Sequence, residues 1–467
     1  MGRLAGFFKL PVSDDGELML QQKRLYPSVF VDQTSAMLLG LVNVAVTGTI
    51  SSAALAGVGQ VNTINNVIVY FFNNYAMGGN VMVAQNVGAK NAQGVKKSAS
   101  QSLVLGMIFS LVMTVIIFLG RVSLLYALYG AADADVMKYS IEYFTISVLA
   151  TPMWFIYYQC VGVFRSAGDT RTPMKIGIVM NAINIVLSYL FVIVMDMGPA
   201  GAGYSMLVAV TAAALLGLIK IFSIDSRVCI KGEFSLKLER DIVGKTLSIG
   251  IPAGIENLMF NGGKVLLQVF LSTMGTTVIS AYQVANSIIS VTQLPIMSYS
   301  ALVITLVGQA AGTGSREKTR ETAAHMMRTG RKATFWSMIL KAVLCYPLAF
   351  CFSRDLTVVN TAVMMCSIEI IFMPFWADSF MLPNCFRSTR DVKITLIVGS
   401  ISMWVVRVFG AYVFGVMLDM HGNGIMLAMC LDWIARGAIF NNRFKGDRWL
   451  RKIGVQTNET NENTDKA

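Results

Sequence analysis

Twelve runs of roughly twenty or more mostly apolar residues divide this chain, and none shows the two-residue alternation of a strand. They lie at 25–48, 55–84, 98–120, 137–163, 173–195, 202–223, 246–272, 277–307, 330–352, 357–385, 393–416 and 424–442. At 1.5 Å of rise per residue each run is long enough to cross a bilayer as a helix. The pattern therefore predicts an all-α membrane protein.

The runs form two sets of six. FRSAGDTRTPM at Phe164–Met174 has a degraded echo 222 residues later, FRSTRDVKITL at Phe386–Leu396. Pro27 recurs as Pro252, Gln85-x-x-Gly88 as Gln309-x-x-Gly312, Arg165 as Arg387 and Asp196 as Asp419, at nearly constant offset. Several matches in one register indicate an internal duplication. An even number of spans per copy gives both copies the same orientation, related by a pseudo-two-fold axis along the membrane normal. The expected division is an arm at 1–24, an N-lobe at 25–223 and a linker at 224–245. A C-lobe at 246–442 and a tail at 443–467, polar and disordered at its end, complete it.

Composition agrees. With 467 residues, 55% hydrophobic and 14% charged, and a mean hydropathy of +0.60, too few charges exist to cover a water-soluble surface. The net charge of +12 is placed rather than scattered. Lys and Arg gather in the arm (Arg3, Lys9, Lys23, Arg24), after the even-numbered spans, and at the end (Arg443 to Lys466). That distribution puts both termini in the cytoplasm and gives the inner face an attraction to anionic lipid. No basic module with interleaved aromatics suggests a nucleic-acid partner. The first 24 residues lack the form of a cleavable signal peptide. The seven cysteines show no paired spacing, so neither disulfides nor a zinc site is expected.

Nothing suggests an enzyme or a resident cofactor. The two histidines, His325 and His421, stand apart, and no Walker A loop, dinucleotide fingerprint or HExxH occurs. Without ATP hydrolysis, uphill transport must draw on an ion gradient, which directs attention to acids inside the spans. Glu256 in the seventh span is the first such residue, because a carboxylate at membrane depth is costly unless it pairs, protonates or faces water. Alternatively it is a structural ion pair with Lys264, Arg407 or Lys341. Asp378 and, less favoured, Glu369 lie in the tenth span; Asp432 and Arg436 at i,i+4 read as an intrahelical ion pair. Asp32 reads as interfacial, and Asp196 and Asp419 as solvated.

MVAQNVGAKN after the second span, FRSAGDTRTPM after the fourth and IGIPAGIENLMFNGGK in the seventh resemble the multidrug and toxic compound extrusion (MATE) family over residues 25–442. The resemblance implies export of cationic or amphipathic small molecules in exchange for H+ or Na+, from the cell membrane, by a monomer working through alternating access. It implies ion coupling at an acid in the seventh span, here Glu256, and at one in the tenth. Asp378 stands two residues beyond the position, Trp376, that the resemblance marks. Na+, if it is the coupling ion, would bind at Glu256 and Asp378. Where relatives carry N-lobe acids, this chain has Asn43, Asn184 and Ser188; amides and hydroxyls can contact substrate but carry no proton. Coupling is therefore expected in the C-lobe. Asn43, Asn184 and Ser188, with Asn257, Asn261 and Lys264 of the seventh span, are the expected substrate contacts. The competing readings are a lipid-linked saccharide flippase of the same superfamily, which would use Lys264, Arg407 and Lys341, and a major facilitator transporter, whose usual loop motif MVAQNVGAKN does not match.

Overall fold

A computed structural model describes residues 16–48, 50, 52–130, 133–223 and 228–453. Most of the expected N-terminal arm, including Arg3 and Lys9, part of the linker with Arg227, and the end of the tail with Lys466 lie outside the described residues.

Twelve helical spans appear in chain order. The first six are α1 (Gly16–Gly48), α2 (Ser52–Gly88), α3 (Ala92–Tyr129), α4 (Ala134–Leu149 and Thr151–Ser166), α5 (Arg171–Ser188 with a π-helical end, Tyr189–Val194) and α6 (Gly198–Phe222). Then come α7 (Arg240–Ser272), α8 (Thr276–Gly312), α9 (Arg316–Phe352) and α10 (Leu356–Phe372 through Leu382–Ser388). The last two are α11 (Val392–Ile401 continuing through π-helical stretches Ser402–Val408 and Tyr412–Met417) and α12 (His421–Lys445). Among the described residues eight are individually long and apolar enough to cross a membrane, and the two segments of α4 make a ninth. The other three, α1, α2 and α7, are 33, 37 and 33 residues long.

Several helices extend past their apolar runs because polar residues cap them. Asn91 accepts from the Gly94 amide at the start of α3, and Ser315 from the Lys318 amide at the start of α9. The basic stretch Arg316 to Lys332, expected as a loop with His325 in it, is mostly the opening turns of α9. Pro27 lies well inside α1 rather than in its first turn, so both Pro27 and Pro252 interrupt helical hydrogen bonding.

The duplication is visible in the backbone. Ten described residues have positive φ, and eight form four pairs at the repeat offset: Lys90 with Gly314, Gly168 with Arg390, Asp196 with Asp419, and Gly198 with His421. Asp196 and Asp419, at φ 50 and 53, are both exposed, as expected of solvated turns. The π-helical ends of α5 and α11 also correspond. So do the interruptions of α4 and α10 near Pro152 and Pro374, the former bent by 46°. A proline nitrogen has no hydrogen to donate to the preceding turn, which makes each a weak point.

Two compact units result, Pro27–Gly254 and Met1–Tyr26 with Ile255–Ala467. The division therefore falls inside α1 and α7, beside Pro27 and Pro252, and not at the 224–245 linker. Side-chain contacts explain the shift. Tyr26 stacks on Tyr299 with ring centroids 4.2 Å apart, and Gln22 meets His325 at 2.9 Å, so the start of α1 packs with the second half. The start of α7 packs with the first half: a β-carbon on Gly250 would come within 2.6 Å of the Tyr75 carbonyl oxygen. The described part of the linker docks on α3, with Gln101 bonding the backbone of Lys237 and Glu239, and Lys97 pairing with Glu239.

Gly168 holds φ +80 in the turn between α4 and α5. Gly168→Ala should lower stability by about 1–2 kcal/mol, the cost of a left-handed L-residue. Gly120→Ala, mid-helix in α3 with open space around it, should instead raise stability by about 0.5–1 kcal/mol. Thermal unfolding of the two purified variants in detergent checks the opposed signs.

Candidate functional site

Every carboxylate embedded in the second unit's spans has a cationic partner. Glu256 on α7 accepts from the Arg387 guanidinium at the end of α10, 2.7 Å away. Asp378 in α10 pairs with Arg331 of α9 at 2.8 Å. Glu369, also in α10, is fully buried and binds Lys341 of α9 at 2.6 Å and the Gln293 amide of α8 at 2.9 Å. Asp432 in α12 takes Arg436 at 2.7 Å, as the i,i+4 spacing predicts, and Arg407 of α11 at 3.8 Å.

Glu256 differs from the other three in access. Its side chain keeps 13% exposure, against 4% for Asp378 and none for Glu369 and Asp432. Its partner is Arg387 rather than Lys264, Arg407 or Lys341. Helix α11 presses on it through Gly399, where a β-carbon would stand 3.0 Å from Oε1. No larger residue fits there without moving the carboxylate.

The same arrangement occurs in the first unit. Asp32 on α1 pairs with Arg165 at the end of α4, and a β-carbon on Gly177 of α5 would lie 2.8 Å from Asp32 Oδ1. Asp32, Arg165 and Gly177 are the repeat counterparts of Glu256, Arg387 and Gly399. Asp32 is thus a buried, paired acid. The Arg165/Arg387 echo was visible in the sequence, and projecting the repeat offset from Asp32 onto Glu256 would have found both pairs.

The remaining expected residues separate. Asn261 donates to Asn257 Oδ1 at 2.8 Å, so the two amides share one face of α7, with Glu256 one residue before Asn257. Lys264 is exposed, its ammonium 4.9 Å above the Phe260 ring. In α5, Asn184 is 2% exposed and its side-chain oxygen finds no hydrogen-bond donor. Ser188 is spent on Ser205 of α6 at 2.7 Å, an interhelical bond. The side chain of Asn43 lies outside the described residues. Among the aromatic residues of α4, Phe155 is core, packing on Phe72 and Tyr75, while Trp154 stacks on the half-buried Tyr158. The described cysteines are all free, and no described cluster of His, Cys, Asp or Glu could hold a metal.

A family model described as MatE matches residues 28–190 and 252–413. An uncharacterized transporter, YisQ of Bacillus subtilis, is 23% identical over 91% of this chain and 93% of its own length. A probable multidrug resistance protein NorM of Thermotoga maritima is 24% identical over 96% and 97% respectively. Among solved structures, a MATE protein in its bent conformation superposes with a TM-score of 0.84 at 19% identity, covering 95% of this chain and all of that one.

The Lys341–Glu369 pair gives a stability test. Lys341→Met leaves Glu369 buried without its cation and should cost about 3–5 kcal/mol. Lys341→Met combined with Glu369→Met should recover much of that loss, since the desolvated charges disappear together. Denaturation midpoints of the wild type, the single and the double variant decide it.

Proposed function

The chain belongs to the MATE family of membrane transporters, and on that premise we propose that it is a secondary antiporter. It exports cationic or amphipathic small molecules from the cytoplasm in exchange for H+ or Na+, by alternating access. The observation that carries this reading is the Glu256–Arg387 pair: a membrane-embedded carboxylate, partly accessible, held by a single arginine from another helix.

The coupling chemistry follows from that pair. A proton on Glu256, or a Na+ beside it, neutralises the carboxylate and removes its hold on Arg387, so α7 and the end of α10 lose a link. Loss of the ion restores the link. An ion arriving on one side of the membrane and leaving on the other thereby biases two arrangements of the same helices. Asp378 serves as a second coupling acid, shielded by Arg331. Asn257, Asn261 and Lys264 of α7 supply polar contacts to the exported molecule.

Relatives named as multidrug resistance proteins support export of small molecules over a saccharide-lipid flippase. The positive residues at the even-numbered connections support a cell-membrane location with cytoplasmic termini.

The test is uptake into proteoliposomes under imposed H+ or Na+ gradients, with a cationic and an anionic fluorescent dye run in parallel. Gradient-driven uptake of either dye is expected, falling about 5- to 150-fold in Glu256→Gln, the range of a coupling free energy. Uptake of neither dye under either gradient sinks the antiport reading. Full coupled uptake by Glu256→Gln moves the coupling acid to Asp378.

A further inference from the structure

The charges within the second unit's spans do not balance. Three acids each have one basic partner, Glu256 with Arg387, Asp378 with Arg331 and Glu369 with Lys341. The fourth, Asp432, pairs with Arg436 and Arg407, and a third cation, Lys264, shares the Phe260 ring with both. Lys264 Nζ is 4.9 Å from the centre of the Phe260 ring, and the guanidinium carbons of Arg407 and Arg436 are each 5.5 Å from it. Lys264 has no acidic partner among the described residues. Asp432 is already taken up by Arg436 and by the Ser402 hydroxyl, with Arg407 at the longer 3.8 Å.

Donors without acceptors gather in the same place. Arg407 and Arg436 are 5% and 4% exposed, yet the Nε of each lacks a hydrogen-bond partner. The indole nitrogen of Trp433, which packs against Phe380 beneath Arg436, lacks one too. Like charges crowded around one aromatic ring repel, and unmet buried donors are costly. An oxygen-rich anion bound among these groups would relieve both costs.

The backbone also sets this place apart from its counterpart in the other copy. Arg407 is carried on the π-helical stretch Ser402–Val408 of α11, whereas the matching part of α5 is regular α-helix. A π-helical turn re-aims its side chains and often marks a functional position. Here it brings a cation over Phe260. Lys264 is exposed and Phe260 half-buried, so the cluster is reachable from the unit's surface.

We propose that Lys264, Arg407 and Arg436 form an oxyanion subsite. It takes the carboxylate, sulfonate or phosphate end of an amphipathic molecule whose apolar body lies on Phe260. The proposal rests on the transport reading only for its biological meaning and sharpens the substrate class to molecules bearing an anionic group. Binding itself needs no ion gradient, so the subsite and the antiport mechanism can fail independently.

The experiment is equilibrium fluorescence anisotropy on the full-length protein in phosphatidylcholine nanodiscs. Its probes are fluorescein, an anion, and rhodamine 123, a cation on the same three-ring skeleton. Fluorescein is expected to bind more tightly. Lys264→Gln, an exposed position whose variant should melt with the wild type, should weaken fluorescein about tenfold, the factor equivalent to 1.4 kcal/mol, and should not weaken rhodamine 123, whose charge Lys264 repels. Lys264→Glu should reverse the preference. Displacement of fluorescein by added phosphatidylglycerol would support the subsite and identify its occupant as a lipid headgroup. Undetectable fluorescein binding, tighter binding of rhodamine 123, or equal fluorescein affinity in the wild type and both Lys264 variants would overturn the proposal.

Discussion

A charge held away from water must be met by an opposite charge or by hydrogen bonds, and in a membrane that requirement governs which helices lie together. Here it ties α7 to the end of α10, α9 to α10, and α11 to α12. These pairs do not act chiefly as stabilisers, because the desolvation of both partners offsets most of their attraction. Their effect is selective: a packing that separated Lys341 from Glu369 would strand two bare charges, so alternatives are excluded more strongly than the native state is favoured. The same requirement makes the cluster around Phe260 conspicuous, since three cations share that ring and Lys264 has no acidic partner among the described residues.

The two copies of the repeat have kept geometry longer than chemistry. At the turn after α4 the first copy uses Gly168 and the second Arg390, both with positive φ. The aspartate that follows binds the Arg171 and Thr172 amides in one copy and pairs with Arg443 in the other. The acid–arginine–glycine arrangement of Asp32, Arg165 and Gly177 survives as Glu256, Arg387 and Gly399. The longer acid of the second copy sits four residues after its proline, the shorter acid of the first copy five. Such retention fits a fold in which the turns and helix breaks determine where side chains can meet.

Much of this was legible in the sequence. Long apolar runs gave the twelve spans, because a bilayer demands length and apolarity from every helix alike. The i,i+4 spacing gave the Asp432–Arg436 pair, because local geometry alone brings those residues together. The helix ends were less legible, since capping by Asn91 and Ser315 extends helices into polar segments that hydropathy reads as loops. Partner choice was least legible. Glu256 takes Arg387, and Glu369 takes Lys341, through contacts between helices far apart in the chain, and nothing in either local segment specifies them. The unit boundary was obscured for the same reason: a charged linker resembles a domain junction, whereas Tyr26 and Gly250 show that packing divides α1 and α7 internally.

That division has a consequence for how the chain is built during synthesis. The first unit lacks the opening turns of α7 until residue 254 has been made, by which point six spans and the linker have already been synthesised. The opening turns of α1 wait longer, because Tyr299 and His325, which they pack against, lie nearly three hundred residues downstream. The first unit is one continuous stretch of chain, whereas the second is assembled from two separated stretches. Synthesis therefore completes the first bundle's residues before the second's, and only the second must draw together segments from distant parts of the chain.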